Sequence, residues 1–163
     1  MGLLAAALLQ NPSFEEGKLD RFGSPPGWTF FVIAEPVKGS FSEEARTGKR
    51  SYRMKAGEKG EGFLHSTVFE VEPGRKYRFS VWVKGSGIAG VEVLWWKVYD
   101  GIAIPSEHHR DSSEDLKCSA EWRMVTLEVT APKDARKAYL RLRGKGGEVL
   151  FDDASVETIK EGG

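Results

Sequence analysis

Two short stretches place aromatic and cationic side chains together on one face of an extended chain. In KYRFSVWVK, Lys76 to Lys84, strict alternation puts Tyr77, Phe79, Val81 and Val83 on one face and Arg78, Ser80, Trp82 and Lys84 on the other. In KAYLRLR, Lys137 to Arg143, Ala138, Leu140 and Leu142 share one face, and Tyr139, Arg141 and Arg143 share the opposite one. A sugar ring carries C–H groups on its face and hydroxyls around its rim. An aromatic ring suits the first, and a flanking multi-donor side chain suits the second. The plainer reading of each stretch is a cross-strand aromatic–cation pair on a solvated surface.

LWWKVY, Leu94 to Tyr99, raises the same question more sharply, because adjacent residues of a strand cannot both face one core. Counting from Val91 and Val93 places Trp95 inside and Trp96 outside. The same count gives Lys97 an inward position, so the second half of the strand does not keep one clean register. A bulge near the pair would exchange the two rings. One tryptophan is expected in the core and the other in a sugar platform, with Trp96 preferred for the platform. Tyr99, at the end of the strand, completes the ligand-facing candidates.

Other chemistry is weaker. EHHRD, Glu107 to Asp111, offers adjacent histidines, which diverge on an extended chain, whereas zinc ligands converge from separated positions. DSSED, Asp111 to Asp115, lacks the central glycine and twelfth-position glutamate of a calcium loop. GKGG and GSGIAG lack the strand-to-helix setting of a phosphate loop and read as turns. A glycosidase needs two carboxylates facing each other across a cleft, and none of the 24 acidic residues sits in a recognisable motif of that kind. A non-enzyme is expected. Cys118, the single cysteine, reads as a buried bystander.

The bulk numbers agree. The 163 residues suit one domain. Twenty-four Lys and Arg balance 24 Asp and Glu, so no basic face for nucleic acid and no polybasic tract for an anionic membrane is expected. A neutral, sugar-like or protein partner fits better. The 29% of charged residues is compatible with a thermostable protein. The apolar start, MGLLAAALLQ, is too short to span a membrane and has no positive residue before Lys18, yet Ala5-Ala6-Ala7 looks like a cleavage site. It reads as a first strand, with residues 1–8 as an extension, a scar or signal remnant, and 9–160 as one module.

Short alternating runs separated by Gly and Pro must position these residues, and no long amphipathic helix is visible. Strands are expected at 30–34, 51–55, 63–70, 76–84, 91–99, 122–129, 137–143 and 148–156, with GSGIAG as a hairpin-like connection. The stretch from Asp100 to Ala120 reads as a long polar loop. The fold class is all-β, a two-sheet antiparallel β-sandwich.

The ordered set NPSFEEG (Asn11 to Gly17), GW (Gly27-Trp28), ARTGKRSYRM (Ala45 to Met54), VEPGRKYRFSVWVKGS (Val71 to Ser86), EWRMVTLEVTAP (Glu121 to Pro132) and LFDDASV (Leu150 to Val156) runs nearly the length of the chain. It resembles carbohydrate-binding modules of families four, nine, sixteen and twenty-two. The resemblance implies a jelly roll with a concave ligand-binding face, polysaccharide such as β-glucan, xylan or mannan as ligand, and an extracellular, monomeric module of a larger glycoside hydrolase. It also implies a structural calcium, with Glu15 and Asp152 as ligands and Glu43 as a weaker one, while Trp28 and Trp122 would pack in the core. On these expectations Trp82, Trp96 or Trp95, and Tyr139 stack on the sugar while Lys84, Arg141 and Arg143 orient it. The rival class is a structural or protein-interaction sandwich that has lost sugar binding.

Overall fold

The computed structural model describes residues 8–99 and 102–160; the side chains of 97–99 and 102–108 lie outside the description, and with them the Tyr99 ring. Among the described residues twelve strands form two sheets: β1 (Trp28–Ala34), β2 (Val37–Ser42), β3 (Ser51–Ala56), β4 (Glu61–Ser66), β5 (Phe69–Glu70), β6 (Lys76–Gly85), β7 (Ile88–Tyr99), β8 (Ile102–Ser112), β9 (Leu116–Lys117), β10 (Arg123–Thr130), β11 (Ala135–Lys145) and β12 (Glu148–Thr158). The seven-stranded sheet runs β1-β4-β11-β7-β8, with β5 beside β11 and β9 beside β7. The five-stranded sheet runs β10-β6-β12-β3-β2, and every pairing in both is antiparallel.

The alternation read from the sequence sets the core. Phe79, Val81 and Val83 of β6 meet Ala138, Leu140 and Leu142 of β11 in one cluster, all fully buried. Each such side chain withdraws apolar surface worth about 1.5–3 kcal/mol from water. Trp28 joins this core, its ring tilted against that of Phe14 at 5.2 Å, whereas Trp122 is only half-buried and lies outside it.

Two connections differ from the expectation. GSGIAG does not return the chain as a hairpin: β6 belongs to the five-stranded sheet and β7 to the seven-stranded one, so the segment crosses between sheets. The stretch after Tyr99 is also not one long loop, because β8 pairs along β7. Its polar sequence hides the strand. Irregularity near the tryptophan pair does occur, as a jump on the β8 side from Leu94↔Arg110 to Trp96↔Pro105.

Candidate functional site

Facing residues in the ladders fix the outward face of the seven-stranded sheet. One row runs Phe31–Phe63–Arg143–Gly90, the next Thr29–His65–Arg141–Glu92–Ser112, then Tyr139–Leu94–Arg110, and last Lys137–Trp96–Pro105. Trp95 pairs with inward Ala138 and is fully buried in the core, while Trp96 is outward and half-buried. The register along β11 is unbroken at this pair, so the order of the two rings is settled in favour of Trp96 outside. The Trp95 indole donates to Asp111 Oδ2 at 2.8 Å, which anchors β8 to the face.

Two rings outside the expected set, Phe31 and His65, lie on this face. Phe31 on β1, His65 on β4 and Tyr139 on β11 are consecutive across the sheet, with centroids 4.7 Å and 4.9 Å apart and His65 stacked on Tyr139 at 22°. These spacings equal the separation of neighbouring strands, so three strands lay down one continuous aromatic strip. Phe63 lies under its end, 6.2 Å from His65. Phe31 is 46% exposed, so the strip is open to a ligand. The signal available was outward Phe31 in TFFV and His65 in FLHS, but neither run alternates cleanly enough to assign a face.

Beside the strip lies a charged cluster. Glu92 is buried, and its carboxylate is 2.5 Å from Arg141 Nη2, 3.6 Å from Arg143 Nη1 and 3.6 Å from Arg110 Nη1. Arg141 is buried too, with its guanidinium 4.1 Å above the Phe63 ring. Arg143 also contacts Asp115, which Lys145 reaches at 3.3 Å. Charge-assisted pairing thus fixes planar donors flat against the face.

Trp82 and Lys84 do not belong to this face. Both lie on the outward side of β6, in the other sheet, where Trp82 faces Met124 and Asp152 and Lys84 faces Leu150. Arg46 covers the Trp82 ring with its guanidinium 3.7 Å from the centroid, and Lys84 pairs with Glu44. Of the expected ligand set, the fold therefore unites Tyr139, Arg141, Arg143 and Trp96, sends Trp95 to the core and removes Trp82 and Lys84 to the opposite side.

The expected calcium ligands also find other work. Asp152 is buried; its Oδ2 accepts the amides of Arg46 at 2.9 Å and Thr47 at 3.2 Å, and its Oδ1 accepts that of Asp153 at 2.9 Å. Glu15 Oε1 accepts the amides of Lys49 at 2.7 Å and Arg50 at 3.2 Å; Gly48 beside it has a positive φ, and a side chain there would strike this carboxylate. Arg50 donates to the carbonyls of Phe14 and Gly17, each at 2.7 Å. Asp153 accepts from Ser13 and Thr47 hydroxyls at 2.7 Å and from Arg46 at 2.9 Å. Glu43 is exposed, and among the described residues no three acidic, His or Cys side chains gather as a cation site. A calcium ion needs several converging oxygens; here peptide N–H groups bond Glu15 Oε1 and both oxygens of Asp152, and a guanidinium takes the carbonyls of Phe14 and Gly17. The residues do not fit the ion, and the two chain ends are joined through protein donors instead.

Burial pushes the Asp152 carboxyl up to about 6, against the lowering pull of the Thr47 amide. Asp153 is held below its usual range: burial opposes this, but the Thr47 and Ser13 hydroxyls and Arg46 outweigh it. Burial lifts the Cys118 thiol to about 11, so the buried bystander is also unreactive.

No family model matches the sequence, and no curated protein matches it. Solved structures do match in fold. A tailspike protein 4 enzymatically active domain of bacteriophage CBA120 superposes with a TM-score of 0.68 at 12% identity, covering 91% of this chain and 22% of that one. The xylanase 10B of Clostridium thermocellum, as its family-22 module and catalytic module in complex with xylohexaose, gives 0.60 at 18% identity over 93% of this chain and 28% of that one. TmCBM61 in complex with β-1,4-galactotriose gives 0.61 at 18% identity, with 93% and 98% coverage. The chain thus spans 22% and 28% of the first two, and nearly all of the third. The fold is that of carbohydrate-binding modules.

Proposed function

We propose that the chain is a non-catalytic carbohydrate-binding module that holds a polysaccharide on the outward face of its seven-stranded sheet. The observation that carries this is the open strip Phe31–His65–Tyr139 beside the fixed guanidiniums of Arg141 and Arg143. Rings stack on sugar faces, and the partly exposed guanidinium of Arg143 orients hydroxyls, while the buried Arg141 holds Glu92 and the Phe63 ring in place beneath them. Trp96 extends the platform along β7. Glu92, the buried carboxylate at the centre, is held by guanidiniums and is poorly placed to move a proton, which favours binding over catalysis. Solved modules of the same fold that were crystallised with xylohexaose and β-1,4-galactotriose support a β-linked glycan of this class as ligand. The further reading, an extracellular monomeric unit that keeps a tethered glycoside hydrolase near its substrate, rests on the same likeness. Calorimetry against xylan, β-glucan, mannan and galactan tests it: binding to at least one is expected, and binding to none by the folded protein would refute it.

A further inference from the structure

Among the described residues, four of the six large apolar side chains most exposed to water, Phe22, Phe31, Val32 and Ile33, sit at one place, the β1 edge of the seven-stranded sheet. Phe22 is the most exposed of them at 66%. Its position is not loose. Asp20 Oδ1 accepts the amides of Phe22 at 2.8 Å and Ser24 at 2.9 Å, the Asp20 amide donates to Ser24 O at 2.9 Å, and the fully buried Tyr52 donates its hydroxyl to Gly23 O at 2.7 Å. A hydrogen-bonded loop thus presents a phenyl ring that is two-thirds exposed, with the Arg21 guanidinium 4.7 Å from its centroid, an arrangement that apolar burial alone does not reward.

Between this ring and β1 lies a cavity of about 370 Å³ lined by Asp20, Phe22, Ser24, Thr29, Phe30, Phe31 and Val32. Phe31 is both a wall of this cavity and the end of the aromatic strip. The polar side chains of the cavity are turned to the backbone: Asp20 holds its own loop, and Ser24 Oγ accepts the Phe30 amide at 2.9 Å. What remains is mostly apolar wall, with the Thr29 hydroxyl and the second carboxylate oxygen of Asp20 as its polar atoms. Such a lining suits the hydroxyl rim of a sugar poorly, because buried hydroxyls need partners. It suits a group with an apolar end and one acceptor.

We infer that this cavity takes an acyl ester borne by the bound polysaccharide, with the acyl end between Phe22 and Phe31 and Thr29 facing the ester carbonyl. The inference rests on the polysaccharide reading above and assigns its end subsite. Acetyl and phenolic acyl groups share this chemistry, and separate probes distinguish them.

The experiment measures binding of the whole chain to xylan, glucomannan and galactan, each with and without O-acetyl groups, and to feruloylated arabinoxylan before and after ester removal. An esterified form is expected to bind at least fivefold more tightly than its de-esterified counterpart. Phe22→Ala, an exposed position whose fold is checked by melting temperature, is expected to erase that preference and leave binding to the bare polymer unchanged. Equal binding of both forms, or a preference that survives Phe22→Ala, overturns this inference alone. Binding to no polymer refutes the polysaccharide reading and this inference with it. Sedimentation showing a dimer that Phe22→Ala abolishes would assign the face to a second copy and also overturn it.

Discussion

The Glu92 carboxylate lies 2.5 Å from Arg141 Nη2, and both side chains are buried beneath the proposed binding face. A buried pair of this kind contributes modestly as a pair, but breaking it leaves one charge uncompensated in a poorly solvated place. Glu92→Gln is therefore expected to lower stability by about 3–5 kcal/mol in urea unfolding. Adding Arg141→Met to that variant should recover part of the loss, because the stranded cation is removed. A single variant as stable as the original would show that the pair is more hydrated than its burial indicates.

The junction of the chain ends yields a second expectation. Asp152 accepts three amides while buried, so Asp152→Ala strands those donors, at a cost of about 1–3 kcal/mol for each left without a new partner. Because these contacts are between protein groups, a chelator should leave the melting temperature unchanged, and added calcium should not raise it. A calcium-dependent rise would mean that Glu15 and Asp152 turn to an ion.

The two neighbouring aspartates make opposite contributions with pH. Asp152 sits at about 6 in the folded chain, above the ordinary carboxyl value of about 3.9. The folded state therefore binds the extra proton between about pH 4 and pH 6, and this contribution is complete below pH 4 and lost as pH rises through 6. Asp153 is held low, so its contribution is present above about pH 4 and lost as pH falls through its lowered folded value. Melting curves of the original and of Asp152→Asn between pH 4 and 6 should differ in slope, the variant losing less stability as pH rises. Parallel curves would contradict the assignment.

How much of this was legible in the sequence depends on the range of the interaction. Alternation is local, and it correctly separates Val81 and Val83 from Trp82, Leu140 and Leu142 from Tyr139 and Arg141, and Trp95 from Trp96. Which strands share a sheet is not local. Nothing in KYRFSVWVK or KAYLRLR states that β6 and β11 lie in different sheets, so Trp82 and Tyr139 looked like parts of one platform. Phe31 and His65 meet Tyr139 only through the order β1-β4-β11, and their own strands are too irregular to announce a face. The capping of Asp152 by Arg46 and Thr47 joins residues more than a hundred positions apart, and motif spacing carries no trace of it.

That separation of sheets also gives the most direct test of the binding face. Each ring stacked on a ligand is worth about 0.5–1.5 kcal/mol, or up to roughly tenfold in affinity. Affinities of the original chain, Tyr139→Ala and Trp82→Ala should be compared by calorimetry on whichever polysaccharide binds best. The expected result is a loss of up to roughly tenfold for Tyr139→Ala, with Trp82→Ala close to the original. Loss of binding in Trp82→Ala with Tyr139→Ala unaffected, both variants being folded, would place the ligand on the opposite sheet and contradict the account.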